Sequence, residues 1–347
     1  MMNGMTNGRM NRMKQVVLGN TGIIVNKNGF GALPIQRVSR EVAVQLLRKA
    51  YDHGITFFDT ARFYTDSEEK IGYALSEVRD RIYLATKTMA TKVEDFKAQL
   101  KESLRLMKTD YVDIYQFHNP PFCPKPGDGT GLYEAMQEAK EMGLVRHIGI
   151  TNHRVKVAIE AAESGLYETI QFPFSYLATK EELELVRLCE EKEIGFIAMK
   201  ALSGGLITNA AAAYAYLDQF PHVLPIWGIQ KEKELEEFIS FIDHPPKLNE
   251  EMAAVIEKDI RELGKDFCRG CGYCMPCPAE IDIPISARMS LMVRRAPVSV
   301  YLNSEWQEKM KRIENCIHCD HCKNHCPYGL DTPSLLQENW ADYQTFL

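Results

Sequence analysis

Eight short apolar segments rich in Ile, Val and Phe alternate along the chain with helical segments whose apolar residues recur at helical spacing. The apolar segments are residues 30–35, 55–60, 82–87, 112–118, 147–152, 169–174, 195–200 and 223–228. Several helical segments end in His-Gly, Met-Gly or Ser-Gly, as expected where a helix closes on a left-handed residue. Eight strands, each followed by a helix, are the number that closes a parallel barrel. The pattern therefore predicts an α/β fold of the (β/α)8 TIM-barrel type.

A doubly wound open sheet is the competing architecture for an alternating β/α pattern. Its first turn carries a dinucleotide-binding sequence with three glycines, G-x-G-x-x-G. The corresponding segment here, Gly29-Phe30-Gly31, lacks the third glycine. This difference favours the barrel over the open sheet.

The cysteines mark a change in organisation near the C-terminal end of the barrel pattern. The chain has 347 residues and ten cysteines, and only Cys123 and Cys189 precede residue 268. The other eight fall between residues 268 and 326, where no alternating β/α pattern continues. We therefore expect a disordered tail at residues 1–14, a barrel at 15–246 and a small, mainly helical, cysteine-rich domain at 247–347.

Charge and hydropathy exclude several classes of partner. The formal net charge is −6, with both signs mixed, so we expect no nucleic acid partner. The longest apolar stretch, residues 210–217, is far shorter than the roughly 18 residues that span a bilayer, so we expect no membrane association. The polar N-terminal residues lack the apolar core of a signal peptide, which predicts a cytoplasmic protein.

Four polar residues fall at the ends of three consecutive predicted strands or just after them: Asp59, Tyr64, Lys87 and His118. The carboxyl ends of barrel strands form one rim, so these side chains should meet there. A ketone that accepts a hydride needs a proton at its oxygen, and a nearby cation makes a tyrosine hydroxyl a better donor. Lysine is such a cation, aspartate can hold it, and histidine can orient the carbonyl. A single Asp at a strand end is often a helix cap, and a single His on an apolar strand is often a core residue. The occurrence of all four residues at rim positions, in this order, favours a catalytic site.

Segments that carry these residues closely resemble the aldo-keto reductase superfamily: GITFFDTARFYTDSEEKIGYAL, YLATKT, DYVDIYQFHNP, GLVRHIGITN and GFIAMKAL. The resemblance runs from about residue 15 to 245. It implies that Asp59, Tyr64, Lys87 and His118 are the catalytic tetrad of the family, with tyrosine as the general acid in reduction. It also implies NAD(P)H bound across the barrel mouth, with the nicotinamide carboxamide held by Thr151, Asn152 and Gln171.

The chain departs from the family pattern at two cofactor positions. Met199 stands where the family usually stacks an aromatic ring on the nicotinamide, although its polarizable sulfur can still cover a ring face. Glu234 stands where NADP-specific members place an arginine, and a carboxylate repels the 2′-phosphate, so we expect NADH to be favoured. Lys231 or Lys233 could restore phosphate binding. The cofactor contacts expected in addition are Gly31, Lys200, Leu202, Gly228 and Gln230.

The eight clustered cysteines form two runs. The second, Cys316, Cys319, Cys322 and Cys326 followed by Pro327, has the C-x2-C-x2-C-x3-C-P spacing of bacterial ferredoxins. The first has the same form with a shortened last spacing. Two such runs predict two [4Fe-4S] clusters. Because the fourth cysteine of each ferredoxin run serves the other cluster, we expect two crossed ligand sets. These are Cys268, Cys271, Cys274 and Cys326 for one cluster, and Cys316, Cys319, Cys322 and Cys277 for the other. Two zinc ions are the alternative.

The sequence thus predicts an NAD(P)H-dependent aldo-keto reductase or alcohol dehydrogenase that acts on a small carbonyl or alcohol. Two other functions stay open at this point. One is an electron-transfer reductase in which a flavin, a flavoprotein or a partner ferredoxin links the clusters to an organic substrate. The other is a barrel that binds nucleotide only to report redox state, against which the complete tetrad argues.

Overall fold

The computed structural model describes residues 14–263, 267–295 and 300–347. The chain divides into two compact units, Met1–Ala201 with Ala211–Leu248, and Leu202–Ala210 with Asn249–Leu347. The expected N-terminal tail, residues 1–14, lies outside the described residues except for Lys14. The carbonyl of Lys14 accepts a hydrogen bond from the backbone amide of Lys27.

The first unit contains a closed parallel barrel of eight strands, which confirms the predicted fold class. A two-stranded antiparallel hairpin of β1 (Gln15–Val17) and β2 (Ile24–Asn26) precedes it. The barrel strands are β3 (Gly29–Gly31), β4 (Phe57–Asp59), β5 (Tyr83–Thr88), β6 (Val112–His118), β7 (Val145–Thr151), β8 (Thr169–Pro173), β9 (Gly195–Met199) and β10 (Val223–Gly228). Each strand pairs with its sequence neighbour, and β10 pairs with β3 to close the ring.

A helix follows each barrel strand. These helices are α1 (Arg40–Asp52), α2 (Ser67–Leu75), α3 (Val93–Met107), α4 (Leu132–Glu141), α5 (Val155–Ser164), α6 (Lys180–Glu191), α7 (Ala210–Leu217) and α8 (Glu232–Asp243). Their ends follow local chemistry: Thr179 and Glu182 form a capping box at the start of α6, and Gly165 closes α5 with φ of 69°. Helices α3, α4, α5 and α6 contact neighbouring barrel strands, and their buried residues are mainly apolar.

The predicted first strand differs most from the observed one. Residues 30–35 were expected to be extended, yet β3 ends at Gly31 and a 3-10 turn covers Pro34–Arg37. Proline fixes its φ and has no N–H, so Pro34 suits the first turn of a helix and cannot continue a ladder. The strand pattern therefore overestimated β3 where its apolar residues enter this turn.

The hairpin packs against one end of the barrel interior. Its buried residues Val16, Leu18, Ile23 and Val25 share a core cluster with inward residues of five barrel strands. The inward barrel residues of that cluster are Phe57, Ala85, Ile114, Ile197, Leu224 and Ile226. Side chains alternate along a strand, so on β6 the positions after Ile114 that face inward are Gln116 and His118. The interior thus changes from apolar to polar toward the carboxyl ends of the strands.

The second unit is mainly helical, as predicted. Its helices are α9 (Glu250–Leu263), α10 (Ile283–Ser286), α11 (Met289–Arg295), α12 (Ser304–Lys311), α13 (His321–Asn324) and α14 (Thr332–Gln344). Ile283, Met289, Met310, Leu336 and Tyr343 form the centre of its core, and several cysteines pack on that core. In the part of the chain that the structure describes, none of the helices combines the length and apolar composition needed to cross a membrane.

Candidate active site and cysteine groups

The register of the ladder aligns the predicted site residues along one rim of the barrel. Gly228 pairs with Gly31, and Gly31 pairs with Asp59. Farther around the ring, His118 pairs with Thr151, and Thr151 pairs with Gln171. These residues belong to six different strands, but all lie at or next to the carboxyl ends of those strands. Parallel pairing therefore brings together residues that are far apart in sequence.

A buried ion pair between Lys87 and Asp59 forms the centre of this rim. Lys87 Nζ donates to both carboxylate oxygens of Asp59 at 2.7 Å and to the carbonyl of Thr60 at 2.6 Å. The side chains of Lys87 and Asp59 are 1% and 4% exposed. Burial lowers the pKa of Lys87 and raises that of Asp59, and the charge of each partner opposes this shift. Each charge therefore depends on the other to remain buried.

Tyr64 and His118 lie beside this ion pair. Lys87 Nζ is 5.5 Å from the centroid of the Tyr64 ring. The rings of Tyr64 and His118 meet edge to face, with centroids 5.8 Å apart. Burial and the charge of Lys87 lower the pKa of His118 to about 3, so its imidazole is neutral at pH 7. All four predicted catalytic residues are thus brought together, with a neutral histidine next to a buried cation.

Two glutamines connect the ion pair to the next strands. Gln116 Nε2 donates to Gln171 Oε1 at 2.8 Å, and Gln171 Nε2 donates to Asp59 Oδ2 at 3.3 Å. Gln116 was not among the predicted site residues. Its signal was a polar residue at an inward position of the otherwise apolar strand VDIYQFH, two residues before His118. Gln171, predicted to hold the nicotinamide, therefore also supports the Asp59 carboxylate.

Glu68 is a second carboxylate near Lys87 that sequence reasoning missed. Its side chain is 1% exposed, accepts from Thr86 Oγ1 at 2.6 Å and pairs with Arg62. Burial raises the pKa of Glu68, while its hydrogen bonds and the charges of Arg62 and Lys87 oppose the rise. Arg62 also donates to the carbonyl of Thr65, so it holds both ends of the short loop that carries Tyr64. A glutamate in the first turn of α2 gave no sign of this role.

The expected nicotinamide ligands lie at the carboxyl ends of β7 to β9. Thr151 Oγ1 donates to the sulfur of Met199 at 3.7 Å, which places Met199 next to the predicted carboxamide site. Asn152 donates to the carbonyl of Pro120, and its own oxygen accepts from the amides of His153 and Arg154. The hydroxyl and amide groups gathered here match the donors and acceptors of a carboxamide. Gln116 Oε1 is buried and has no hydrogen-bond partner among the described residues.

The expected contacts with the rest of the cofactor fall into three places. Gly31 and Gly228 are adjacent partners in the ladder. Gln230 precedes α8 and Glu234 lies in its first turn, where Glu234 Oε2 accepts from the backbone amides of Gln230 and Lys231 at 2.9 and 3.0 Å. Lys200 directly follows β9 with φ of 55°, and Leu202 belongs to the second compact unit. The carboxylate of Glu234 therefore caps the start of its own helix.

In the second unit, Cys268 of the first run lies near Cys271 and near Cys326, the last cysteine of the second run. Burial raises the pKa of the Cys268 thiol, and the neighbouring Cys271 and Cys326 add to that rise. Burial likewise raises the pKa of Cys274 to about 12, with contributions from Cys268 and Cys271. The Arg269 guanidinium lies 5.4 Å from the centroid of the Tyr328 ring, two residues after Cys326. Cys322 of the other predicted ligand set also contributes to the pKa of Cys274, and the assignment of Cys268, Cys271, Cys274 and Cys326 to one cluster stays a prediction.

The other four clustered cysteines line one pocket. Its walls include Cys277, Cys316, Cys319 and Cys322, together with Ile281, Ile283 and Leu336 of the apolar core. Burial raises the pKa of Cys322, and the charges of Cys316 and Cys277 contribute. Within residues 14–263, 267–295 and 300–347, no three His, Cys, Asp or Glu side chains form a group that could hold a single metal ion. The thiols fit the predicted second ligand set for a cluster.

The first two cysteines of each run lie in loops of similar backbone shape. In the first loop, Gly270 and Gly272 have φ of 60° and 83°, and Gly270 N donates to Cys268 Sγ at 3.4 Å. In the second loop, the same positions are His318 and Asp320, with φ of 51° and 54°. Positive φ is free of steric cost for glycine and costly for other residues. Two different sequences thus produce one loop geometry around the thiols.

Family models match both units of the chain. The aldo/keto reductase family model matches residues 27–219, and a 4Fe-4S dicluster domain model matches residues 267–331. An L-galactose dehydrogenase from Arabidopsis thaliana is 31% identical over 219 residues, which cover 58% of this chain and 69% of that protein. A methylglyoxal reductase from Salmonella typhimurium is 31% identical over 193 residues, which cover 51% of this chain and 70% of that protein.

Solved structures share the barrel. An aldo-keto reductase from Bacillus halodurans in its holo form superposes with a TM-score of 0.63 at 22% identity, over 71% of this chain and 96% of that chain. An aldo-keto reductase from Klebsiella pneumoniae in complex with NADPH gives a TM-score of 0.60 at 23% identity, over 71% and 94%. At this level of identity the likeness establishes the fold alone.

Breaking the buried ion pair from one side should cost more than removing both charges. Asp59→Ala leaves an unpaired buried ammonium and should lower the free energy of unfolding by about 3–5 kcal/mol. The double variant Asp59→Ala/Lys87→Met should cost clearly less than the sum of the two single variants. Urea unfolding measures each variant. Glu138→Ala, which breaks the exposed Lys97–Glu138 pair, should change stability by less than about 1 kcal/mol. Strictly additive single variants would contradict this assignment.

Proposed function

This chain belongs to the aldo/keto reductase family, and on that premise we propose that it transfers a hydride between NAD(P)H and a small aldehyde or ketone, reversibly with the alcohol. It is an oxidoreductase of that family with a C-terminal 4Fe-4S dicluster domain. The observation that carries the proposal is the buried Lys87–Asp59 pair with Tyr64 and His118 beside it. A methylglyoxal reductase among the relatives supports a small carbonyl as the substrate class.

NAD(P)H, when bound, supplies the hydride to the carbonyl carbon. The hydroxyl of Tyr64 donates the proton that the carbonyl oxygen requires as negative charge develops there. The ammonium of Lys87, 5.5 Å from the ring centroid, stabilises the phenolate that Tyr64 becomes. The neutral imidazole of His118 has one N–H to donate, and it orients the carbonyl oxygen toward Tyr64.

Asp59 and its partners keep Lys87 charged and in place. The carboxylate binds the ammonium through two hydrogen bonds, and Gln171 donates to the same carboxylate. Glu68 adds a second negative charge that favours the protonated lysine. Because Asp59 and Glu68 act through Lys87, we assign these two carboxylates a positioning role. Thr151, Asn152 and Met199 surround the expected nicotinamide site, where they would orient the ring toward the carbonyl.

The two cysteine groups would hold two [4Fe-4S] clusters, which exchange one electron each. A hydride carries two electrons, so direct exchange between a cluster and the nicotinamide would require an unfavourable radical. A flavin, which exchanges either one or two electrons, would remove that obstacle. In the alternative function, a flavin or a partner ferredoxin links the clusters to an organic substrate, and a flavin absorption peak in anaerobic protein would favour it. The described residues give no specific support for such a group, and carbonyl reduction by the barrel is the function that we propose.

Tyr64→Phe should abolish carbonyl reduction because it removes only the proton donor. We expect kcat to fall by about 10²–10⁴-fold, with the Kd for NADH within about twofold of wild type. Anaerobic assays of NADH oxidation against a panel of small carbonyls, with NADH binding followed by fluorescence, measure both quantities. Tyr73→Phe, an exposed tyrosine in α2, is the control and should behave as wild type. Unchanged turnover in Tyr64→Phe would refute the tetrad.

NADH should be preferred over NADPH because Glu234 presents a carboxylate where the 2′-phosphate would bind. Glu234→Arg should raise the ratio of kcat/KM for NADPH to that for NADH by about tenfold, because it replaces repulsion with attraction. It also releases the amides of Gln230 and Lys231 from the carboxylate. Glu237→Arg adds the same charge one turn later on an exposed position and should leave the ratio unchanged. A wild-type preference for NADPH would show that Glu234 is misaligned.

Anaerobic protein should contain about eight iron and eight sulfide per chain. Cys277→Ala should lower iron to about four, whereas Cys189→Ala, a buried cysteine outside both runs, should retain all of it. The crossed ligand sets make a sharper prediction for double variants. Cys277→Ala/Cys319→Ala should keep about four iron because both residues serve one cluster, and Cys277→Ala/Cys271→Ala should lose nearly all. The opposite pattern would mean that each run binds its own cluster. Zinc in place of iron would contradict the assignment of iron–sulfur clusters altogether.

A further inference from the structure

Arg288 lies between the first cysteine loop and the segment that follows β9. Its Nη1 donates to the carbonyl of Gly204 at 2.9 Å, and Gly204 belongs to the same compact unit. A Cβ built on Gly204 would lie 2.6 Å from Arg288 Nη1. A Cβ built on Gly270 would lie 3.0 Å from the guanidinium carbon of Arg288. The guanidinium is therefore packed closely against two glycines, one on each side.

The two glycines have different neighbours in the chain. Gly270 lies between Cys268 and Cys271, the first two thiols of the first predicted cluster. Burial raises the pKa of the Cys268 thiol, and the positive charge of Arg288 opposes that rise. Gly204 lies four residues after Lys200 and two after Leu202, both expected to contact the nucleotide. One arginine thus contacts the cysteine loop and the continuation of the nucleotide-binding strand.

The segment around Gly204 needs external support to hold its shape. Lys200 and Ser203 have φ of 55° and 48°, and Gly204 and Gly205 have φ of 67° and 95°. Four left-handed residues within six positions, two of them not glycine, make a backbone that is costly to maintain. Arg295 gives further support because its Nη1 donates to the carbonyl of Leu206 at 2.9 Å and to Asp259 at 2.9 Å. Helix α11 thus holds this segment, together with Arg288 just before it.

We propose that Arg288 is a positioning residue that makes nucleotide binding depend on assembly of the first iron–sulfur cluster. With the cluster in place, the Cys268–Cys271 loop is fixed, and the guanidinium packed on Gly270 is held toward the carbonyl of Gly204. Without the cluster, the loop relaxes, the arginine loses its packing against Gly270, and the strained segment after Lys200 loses restraint. The proposal rests on the proposed function, because it assumes that the segment binds NAD(P)H.

The test measures NADH affinity of full-length protein with and without iron. Anaerobic wild-type protein should lose about tenfold in affinity when a chelator removes the iron, an ordinary size for coupling between two sites. Arg288→Ala with its iron retained should already show the weaker affinity and should change little on iron removal. Arg294→Ala is the matched control. Arg294 lies on the same helix as Arg295 but donates to the carboxylate of Asp342, and among the described residues no hydrogen bond joins it to residues 202–210. It should respond as wild type does.

Three outcomes would overturn the proposal. Iron removal that leaves wild-type NADH affinity unchanged would show that no coupling exists. An equal loss of affinity in wild type and Arg288→Ala would show that the coupling does not pass through Arg288. Failure of NADH to bind any form would refute the proposed function itself, whereas the first two outcomes leave it intact.

Hydrogen exchange provides a second measurement, which uses wild-type protein and so does not depend on the Arg288→Ala variant. In wild-type protein, the amides of residues 200–210 should exchange faster after iron removal, because their restraint is lost. If Arg288→Ala does not retain its iron, this comparison decides the question, and unchanged exchange would overturn the proposal. Arg288→Lys keeps the charge but cannot donate in the planar geometry of a guanidinium, so it should resemble Arg288→Ala in NADH affinity.

Discussion

In the closed ladder, neighbouring strands are fixed relative to one another by their shared hydrogen bonds, and the site residues inherit that register. Gly31 stands beside Asp59, and His118 beside Thr151, because parallel pairing leaves no freedom to slide one strand without moving every inward side chain. The buried Lys87–Asp59 pair is tolerable only within this arrangement. A shift of β5 relative to β4 would leave both charges unpaired in an apolar interior, at a cost of several kcal/mol.

The sequence allowed the barrel and the four central polar residues to be predicted because both depend on local pattern. Alternation of apolar segments and amphipathic helices identifies strands, and a polar residue at the end of an apolar strand is visible without a structure. Glu68 and Arg62 could not be found in this way. They reach Lys87 and the Tyr64 loop from a helix and a turn, and their roles depend on packing between elements that no periodicity reports. Gln116 is an intermediate case. Its inward position follows from the alternation of the strand, but its hydrogen bond to Gln171 on another strand could not be predicted from the sequence.

Glu234 illustrates how a residue can be located from sequence while its contacts are missed. It was singled out for the repulsion it would exert on a phosphate, but in the structure its carboxylate also accepts from the backbone amides of Gln230 and Lys231. The carboxylate that we propose disfavours NADPH therefore also stabilises the start of α8. The two effects share the same atoms, because free amides at a helix N-terminus are themselves good partners for an anion.

The two cysteine loops have the same shape but unequal conformational cost. Gly270 and Gly272 adopt positive φ freely, whereas His318 and Asp320 each adopt it at a cost of about 1 kcal/mol or more. The first loop therefore adopts its ligand-binding conformation without steric strain, although its glycines leave it free to relax when no cluster holds it. The second loop reaches the same conformation only when bonds to a cluster offset its strain. Strain at His318 and Asp320 consequently favours loss of the second cluster before the first when iron is scarce.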